Sequence, residues 1–320
     1  ASSRSRRRSL RMNAMAHRAV VALAGGVGGA RLVDGLDRAL PAGALQVVVN
    51  TGDDFQHWGL HISPDLDTIM YTLAGLSPED RGWGIEGDSF QTLREAQRRG
   101  LDDWFQLGDR DLVTHLVRTS ALARGESLTQ VTRALCRGLK VERPILPMAD
   151  APRPTTMVTA EGEKLAFQEW LVRARSVPEV KAVRHGGDTK PSPQALAALR
   201  AADLVVICPS NPFVSIDPIL TLDGVRDLLE ETTVVAVSPI LGGRAVKGPL
   251  GSMIPQLLGQ PASAKAVANH YGDMLDAYAV HPGDGFDAPF PVLETNILIQ
   301  AREDLVVFAR KMLELAASLS

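Results

Sequence analysis

Apolar and polar residues along this chain form blocks that predict an α/β fold. Four apolar, β-branched runs each have about the length of one strand, at residues 20–24, 45–49, 204–208 and 233–237. They are apolar at nearly every position rather than at alternate ones, which is typical of parallel strands buried on both faces. Between the first two runs, residues 31–40 have apolar side chains at helical spacing and end before Pro41. This succession predicts the βαβ unit of a Rossmann-like sheet.

A different pattern separates the second and third apolar runs. Four segments there have helical spacing, at residues 67–76, 90–100, 110–122 and 128–139. Short β-like runs follow them within residues 144–175. We therefore expect a mostly parallel sheet with an inserted, largely helical region at about residues 68–200 that carries a small β element. Residues 222–229 and 303–318 predict a crossover helix and a closing helix. Residues 20–320 are expected to form one α/β domain.

The composition is typical of a globular, cytoplasmic protein and indicates no particular function. With 45% hydrophobic and 22% charged residues and a net charge of −3, nothing suggests a nucleic-acid partner. Cys136 and Cys208 have no metal-ligand spacing and predict buried, reduced thiols. No apolar run approaches the ~18 residues of a membrane span. Residues 1–19 are basic and poor in apolar side chains, which predicts a disordered leader or an expression remnant.

A glycine-rich turn is the first candidate for chemistry. Gly25, Gly26, Gly28 and Gly29 follow the first strand and open the first helix, where glycines let backbone N–H groups approach a phosphate. Arg31 lies in the first turn of that helix, where a cation opposes the helix dipole, so a nearby anion would account for it. The alternative is a solvated surface arginine. The second strand ends without the acidic residue that binds a ribose, which disfavours a nicotinamide dehydrogenase.

An acidic cluster follows the second strand. Asp53, Asp54, Asp65 and Asp67 fall within fifteen residues. Crowded carboxylates repel one another and resist burial unless a cation or a polar ligand compensates them. Mg²⁺ prefers a few carboxylate oxygens together with water and phosphate oxygens, which this cluster could provide. Helix capping by Asp65 or Asp67 is the alternative.

Further polar groups occupy the predicted ligand-binding edge of the sheet. Ser210, Asn211 and Ser238 lie in turns that follow strands, and open α/β sheets bind ligands at that edge. Arg110 could clamp a phosphate or a planar ring, although a capped helix with a local Asp–Arg pair would explain the same residues. No sequence motif indicates covalent catalysis. Metal and phosphate groups together favour phosphoryl or phosphate-ester transfer.

Several segments resemble one known family. The segments LAGGVGGARLVDGL, PDLDT, LGDRDL and SNPFVSI occur in the order typical of the 2-phospho-L-lactate transferase family (CofD/FbiA). That resemblance implies a role in the biosynthesis of coenzyme F-420. It implies transfer of a phospho-three-carbon acid from a guanosine-diphospho donor to the ribityl hydroxyl of the 5-deazaflavin Fo, with release of GMP. A requirement for Mg²⁺, a Rossmann-like fold and a homodimer are also implied.

The resemblance also implies roles for the candidate residues. The glycine turn and Arg31 would bind the donor's diphosphate, and guanosine or phosphate contacts would come from Ser210, Asn211 and Ser238. The residues expected to bind Mg²⁺ are Asp53, Asp54 and Asp65. Asp54 or Asp67 would accept the proton of the attacking hydroxyl, and Asp67 and Arg110 would contact Fo.

One alternative shares the fold. Some relatives with a similar glycine turn are non-enzymatic regulators that bind nucleotide sugars, and these should lack the paired PDLDT and LGDRDL segments. The sequence does not determine which three-carbon acid is carried, because the possible acids differ only by a methyl, methylene or hydroxymethyl group. Such a group is worth about 1–3 kcal/mol in a pocket.

Overall fold

The computed structural model describes residues 19–299 and 301–319, so the predicted leader lies outside the described residues except at residue 19. The strands, in chain order, are β1 (Val20–Ala24), β2 (Leu45–Val49), β3 (Phe55–His57), β4 (Leu60–Ile62), β5 (Ile145–Pro147), β6 (Thr155–Thr159), β7 (Lys164–Ala166), β8 (Val180–His185), β9 (Leu204–Ile207), β10 (Thr233–Val237), β11 (Ile240–Leu241), β12 (Arg244–Ala245), β13 (Ala277–Val280) and β14 (Val292–Glu294).

The α-helices are α1 (Gly26–Ala39), α2 (Pro64–Leu73), α3 (Gln91–Arg98), α4 (Asp111–Ala123), α5 (Leu128–Gly138), α6 (Pro193–Ala201), α7 (Asp217–Leu220), α8 (Val225–Glu230), α9 (Leu250–Leu258), α10 (Ala264–Tyr271) and α11 (Arg302–Ala317). Two π-helical turns, at Glu169–Arg173 and Pro212–Ile216, and a 3-10 turn at Gly272–Met274 complete the helical elements of the described residues. None of the helices in this part of the chain is long and apolar enough to cross a membrane.

A seven-stranded sheet forms the centre, in the order β14-β13-β10-β9-β1-β2-β5. Every neighbouring pair is parallel, which confirms the predicted α/β class and Rossmann-like order. The direction of strand addition reverses between β1 and β9. At such a reversal the loops after the two strands diverge, and ligands bind in the crevice between them. The topology therefore points to the loops that begin at Gly25 and Cys208.

Each face of the sheet is covered by helices. Val21 and Leu23 of β1 pack into the cluster on one face, together with residues of α6, α8, α9 and α10. Val20, Ala22 and Ala24 of the same strand pack on the other face, with residues of α1, α2 and α11. All five residues of β1 are fully or almost fully buried, so the continuous apolar run follows directly from burial on both faces. Both cysteines are buried and free, as expected.

The predicted insertion at residues 68–200 is divided in two by the structure. β5 lies within this range but pairs with β2 at the edge of the central sheet. α6 also lies within it and contributes to the core on one face of that sheet. The helical part therefore comes before β5, and the small β element, an antiparallel sheet in the order β7-β6-β8, comes after it. Three residues of a buried strand give no periodicity that separates them from a loop, so the sequence did not reveal β5.

Candidate active site

The glycine turn is packed against the loop that follows β9. The Gly25 N–H donates to Ser210 Oγ over 3.1 Å, and Ser210 Oγ donates to the Gly25 carbonyl over 2.7 Å. A Cβ on Gly28 would lie 2.6 Å from the Pro209 carbonyl oxygen. Glycine is required here because no side chain fits between the two loops. Ser210 therefore holds the two sides of the crevice together.

Asp65 caps helix α1 from a distant position in the sequence. Its Oδ1 accepts a hydrogen bond from the Gly26 N–H over 2.6 Å, at the first residue of that helix. The helix starts five residues earlier than the apolar spacing predicts, and Gly26 has φ +64°. The alternative in which Asp65 or Asp67 caps its own helix is wrong, because the N-cap of α2 is Ser63. A carboxylate thus lies against the positive end of α1, where an anion is favoured.

Asn50 joins two of the aspartates. It follows β2 directly, and its Nδ2 donates to Asp53 Oδ1 over 3.2 Å and to Asp65 Oδ2 over 2.9 Å. The other oxygen of Asp53 accepts from Gln168 Nε2 over 2.8 Å. Burial raises the pKa of Asp53 well above its usual range, and the charges of Asp65 and Asp54 raise it further. Burial likewise raises the pKa of Asp65 to about 6.

Asp54 has one oxygen held and one free. Its Oδ2 accepts from Ser63 Oγ over 2.7 Å and lies 3.0 Å from His61 Nε2. Its Oδ1 is buried and has no hydrogen-bond partner among the described residues. Burial raises the pKa of this carboxyl, while His61 and Ser63 oppose that rise. The hairpin of β3 and β4 makes this possible, because it returns the chain so that His61 and Ser63 face Asp54.

The chemistry of this group of carboxylates fits a hard divalent cation. Neither Asp53 nor Asp65 forms an ion pair with a described side chain, and Asp54 contributes a buried oxygen without a partner. Buried carboxylates of this kind are stable only when protonated or compensated by a cation. Oxygen ligands from carboxylates are those that Mg²⁺ prefers. Asp53, Asp54 and Asp65 therefore stay the predicted ligands by their chemistry, but they do not form a group of described residues whose ligand atoms all lie within 4.8 Å of one another.

Asp67 belongs to a different set of contacts. Both of its oxygens bind the Arg118 guanidinium of α4, with 3.0 Å between Nη1 and Oδ2 and a second, shorter contact between Nη2 and Oδ1. Arg118 is 1% exposed. Asp67, Asp111 and His115 lie close enough together to hold a metal ion, but the guanidinium already compensates Asp67. Its two oxygens are thus engaged within the protein.

The two predicted arginines hold backbone segments. Arg31 donates to the carbonyls of Ile299 and Glu79, each over 2.9 Å. Arg110 is exposed and donates to the Glu86 carbonyl over 2.9 Å. The neighbouring Asp109 caps helix α3 by accepting from backbone N–H groups, and the hydrogen bond from Ser89, followed by those from the backbone, lowers the pKa of Asp109. The alternative in which Asp109 caps the helix that follows it is wrong, because Asp109 caps α3, and Asp88 accepts from the N–H groups of Arg110 and Asp111 at the start of α4.

The remaining turn residues shape the backbone at the sheet edge. Asn211 Oδ1 accepts from the Phe213 N–H over 3.0 Å. Ser238 is fully buried, donates to the Ile240 carbonyl over 2.9 Å and accepts from its N–H over 3.1 Å. Both side chains therefore fix turns at the carboxyl ends of β9 and β10, beside the crevice.

Comparisons with known proteins show the family of this chain. The sequence profile of the family described as 2-phospho-L-lactate transferase CofD matches residues 20–283. The chain belongs to this family. A phosphoenolpyruvate transferase from Thermobifida fusca is 44% identical over 83% of this chain and 87% of its own length. A 2-phospho-L-lactate transferase from Methanospirillum hungatei is 39% identical over 83% of this chain and 90% of its own length.

The fold has a more distant structural relative. The crystal structure of a UPF0052 family protein from Bacillus halodurans superposes with a TM-score of 0.62, and the match covers 93% of this chain and 100% of that one. The two are 17% identical, so this similarity concerns the fold alone. The resemblance inferred from the sequence segments is thus confirmed at the level of the CofD family, and the protein is an enzyme of that transferase family.

Sequence reasoning missed several residues that build the transferase's site. Asn50 could have been found, because an amide directly after a core strand lies at the ligand-binding edge. Gln168, His61 and Ser63 reach the aspartates only through the tertiary fold. The roles predicted for the individual site residues in binding and catalysis stay predictions.

We expect Asp65 to make the metal-free transferase less stable as pH rises from about 4 to 7. Its folded pKa is about 6 against a reference of 3.8, so in this window the folded protein holds a proton that the unfolded chain has lost. Stability is therefore lost as pH rises, by an amount on the order of 3 kcal/mol above the folded pKa. Urea unfolding in EDTA at several pH values, for wild type and Asp65→Asn, measures this contribution.

The variant's free energy of unfolding should improve relative to wild type as pH rises. Loss of an acceptor for Asn50 or Gly26 adds a cost that does not depend on pH and so does not obscure the trend. Asp227→Asn, at an exposed position of α8, controls for the removal of one carboxylate. A difference between wild type and Asp65→Asn that is constant from pH 4 to pH 7 would contradict the prediction.

Proposed function

We propose that this transferase moves a phospho-three-carbon acid, of the 2-phospholactate or phosphoenolpyruvate type, from a guanosine-diphospho donor to the ribityl hydroxyl of Fo, with release of GMP. The reaction would belong to coenzyme F-420 biosynthesis. The observation that carries this proposal is the buried group Asp53, Asp54 and Asp65 beside the glycine turn, with no compensating cation bonded to Asp53 or Asp65 in the described chain. The family and the names of the relatives support it.

Mg²⁺ is the proposed cofactor, and Asp53, Asp54 and Asp65 are its proposed ligands. The unpartnered Asp54 Oδ1 and the raised pKa values of all three carboxyls support this choice. When bound, the ion supplies charge neutralisation at the diphosphate oxygens. The N-terminus of α1 lies on the same side, since Asp65 accepts from the Gly26 N–H, and the helix dipole there favours the negative diphosphate. Donor phosphates would therefore lie beside the glycine turn and the aspartates.

The proposed chemical step is an in-line displacement at the acid-side phosphorus. The ribityl oxygen forms a bond to that phosphorus, the bond to the oxygen of GMP breaks, and GMP leaves with the bonding pair. Asp54 would accept the proton of the attacking hydroxyl at Oδ1 where that oxygen does not bind the ion, since Ser63 and His61 engage its other oxygen. A raised pKa suits a base that works near neutral pH. Asp67 and Arg110 remain proposed contacts for Fo.

The acid carried by the donor is left open. Relatives named as phosphoenolpyruvate transferases and as 2-phospho-L-lactate transferases match this chain at similar identity. Discrimination between the two acids rests on about 1–3 kcal/mol. A homodimer without nucleic-acid or membrane partners is the proposed working form, and sedimentation of the purified protein would test it.

A transfer assay tests the function directly. Purified protein is incubated with Fo, Mg²⁺ and each guanosine-diphospho donor in separate reactions, which are analysed by mass spectrometry. We expect a phospho-acid-linked deazaflavin and GMP in equal amounts with at least one donor. A folded protein that forms no product with any donor, but binds nucleotide sugars, would support the non-enzymatic regulator instead.

A further inference from the structure

A short segment crosses the N-terminal end of α1. We call residues 77–82 the strap. Its last residue, Gly82, has φ +76°, and a Cβ there would overlap Val27 Cγ1 in the glycine turn. The Gly82 N–H donates to the Pro78 carbonyl over 2.8 Å, which closes the strap into a turn. The strap thus lies against the feature that would face the donor's diphosphate.

Two cationic side chains tie the strap down through its backbone. Arg31 Nη2 donates to the Glu79 carbonyl over 2.9 Å, and Lys247 Nζ donates to the Arg81 carbonyl over 2.7 Å. Arg31 comes from α1. Lys247 comes from the loop between β12 and α9, which follows β10 at the carboxyl edge of the sheet. Elements on two sides of the crevice therefore hold one segment.

These two cations are not paired with a carboxylate at contact distance among the described residues. Neither forms an ion pair with a carboxylate in the part of the chain that the structure describes. The pKa of Lys247 is lowered, first by burial and then by the charge of Arg31, while Asp80 opposes this. Elsewhere Arg118 and Arg143 are paired with Asp67 and Asp37. Arg31 and Lys247 instead bond to neutral carbonyls beside a helix N-terminus, where positive charge is disfavoured.

We propose that Lys247, together with Arg31, binds the donor's diphosphate and releases the strap as it does so. This inference rests on the proposed donor. A phosphate oxygen offers Arg31 and Lys247 a charge–charge attraction that a neutral carbonyl acceptor does not offer. Exchange of the Arg81 and Glu79 carbonyls for phosphate oxygens is therefore favourable, and the strap loses its two ties. A ligand shifts such an equilibrium only by its preference for one state, and here the diphosphate competes directly with the strap.

Trypsin provides a readout of the strap that does not depend on transfer activity. Arg81 lies on the strap, and cleavage after it requires the segment to leave its closed position. Full-length protein is digested briefly with and without inorganic diphosphate, and with and without GDP. The peptide that begins at Gly82 is quantified by mass spectrometry, and the Kd for diphosphate and for GDP is measured by calorimetry.

In wild type, diphosphate and GDP should each increase cleavage after Arg81 several-fold. Lys247→Gln should show the faster cleavage without any ligand and should respond little to diphosphate. Its Kd for diphosphate should rise about tenfold, equivalent to about 1.4 kcal/mol. Lys164→Gln, at an exposed position of β7 in the separate antiparallel sheet, should behave as wild type in both measurements.

Two results would overturn the inference: wild-type cleavage after Arg81 that diphosphate leaves unchanged or slows, or an unchanged Kd in Lys247→Gln. Either is distinguishable from failure of the proposed function. If the wild-type protein binds diphosphate with release of the strap but makes no product with any donor, the inference about the strap holds and the proposed transfer function is wrong. If the protein transfers normally and Lys247→Gln leaves the Kd for diphosphate unchanged, the proposed transfer function holds and the inference about the strap is wrong.

Discussion

Asp54→Asn is expected to lower the kcat of transfer by about 10²–10⁴-fold, the usual contribution of a general base. Asp54 has the only unpartnered, buried carboxylate oxygen found among the described residues. An amide can neither accept the hydroxyl proton at that position nor donate negative charge to a metal ion. The loss is therefore expected whether Asp54 acts as the base, as an Mg²⁺ ligand or as both.

The fold should survive this substitution. The amide oxygen of asparagine can still accept from Ser63 and His61, while its NH₂ group takes the place of the unpartnered oxygen. Initial rates by mass spectrometry and the thermal midpoint by circular dichroism measure the two properties separately. Asp227→Asn serves as the surface control and should retain both. A kcat for Asp54→Asn within about threefold of wild type, in a folded protein, would remove Asp54 from the mechanism.

Arg118→Met is expected to destabilise the protein by about 3–5 kcal/mol, because it leaves a buried charge without its partner. Asp67 binds Arg118 through both oxygens, and both side chains are almost completely buried. Asp54 also lies within the electrostatic influence of Arg118. Removal of the guanidinium therefore leaves several carboxylates without compensation.

Urea unfolding measures this cost, and a second variant tests its cause. Replacement of both partners, Arg118→Met with Asp67→Leu, should recover part of the lost stability, because apolar pairs of similar volume replace buried ion pairs well. Arg99→Met breaks an exposed pair with Glu95 and should cost less than about 1 kcal/mol. If Arg118→Met costs no more than Arg99→Met, the buried pair does not support the fold as described.

Local pattern was enough for the central strands. β1, β2 and β10 have the predicted bounds and β9 ends one residue earlier than predicted, because a run of β-branched residues between turn signals favours a strand. The β3–β4 hairpin and β5 were missed, since three-residue strands contain too little periodicity to recognise. Helix α1 began earlier than predicted because the Asp65 carboxylate stabilises its glycine-rich first turn. That contact joins positions 39 residues apart and leaves no local signal.

The candidate site also has residues that the sequence identified and contacts that it could not show. The sequence identified Asp53, Asp54 and Asp65 as an acidic cluster beside a glycine turn, because crowded carboxylates and glycines are unusual in any local element. The residue pattern put Asp67 in the same cluster, and only the family resemblance gave it a different role. Asp67 lies two residues after Asp65 in α2, so its side chain leaves the helix in a different direction. There it pairs with Arg118 of α4. The sequence also could not show that Arg31 and Lys247 meet one strap.

The sequence by itself determined the α/β class, the central strands, the family and the types of residue at the carboxyl edge of the sheet. These follow from local hydrophobic periodicity, turn chemistry and characteristic segments, all of which are properties of neighbouring residues. Only the tertiary structure decided which oxygens are free, which charges are paired and which loops touch. Those properties depend on contacts between residues such as Asp53 and Gln168, 115 positions apart. Burial then sets their pKa values, and burial is a property of the folded whole.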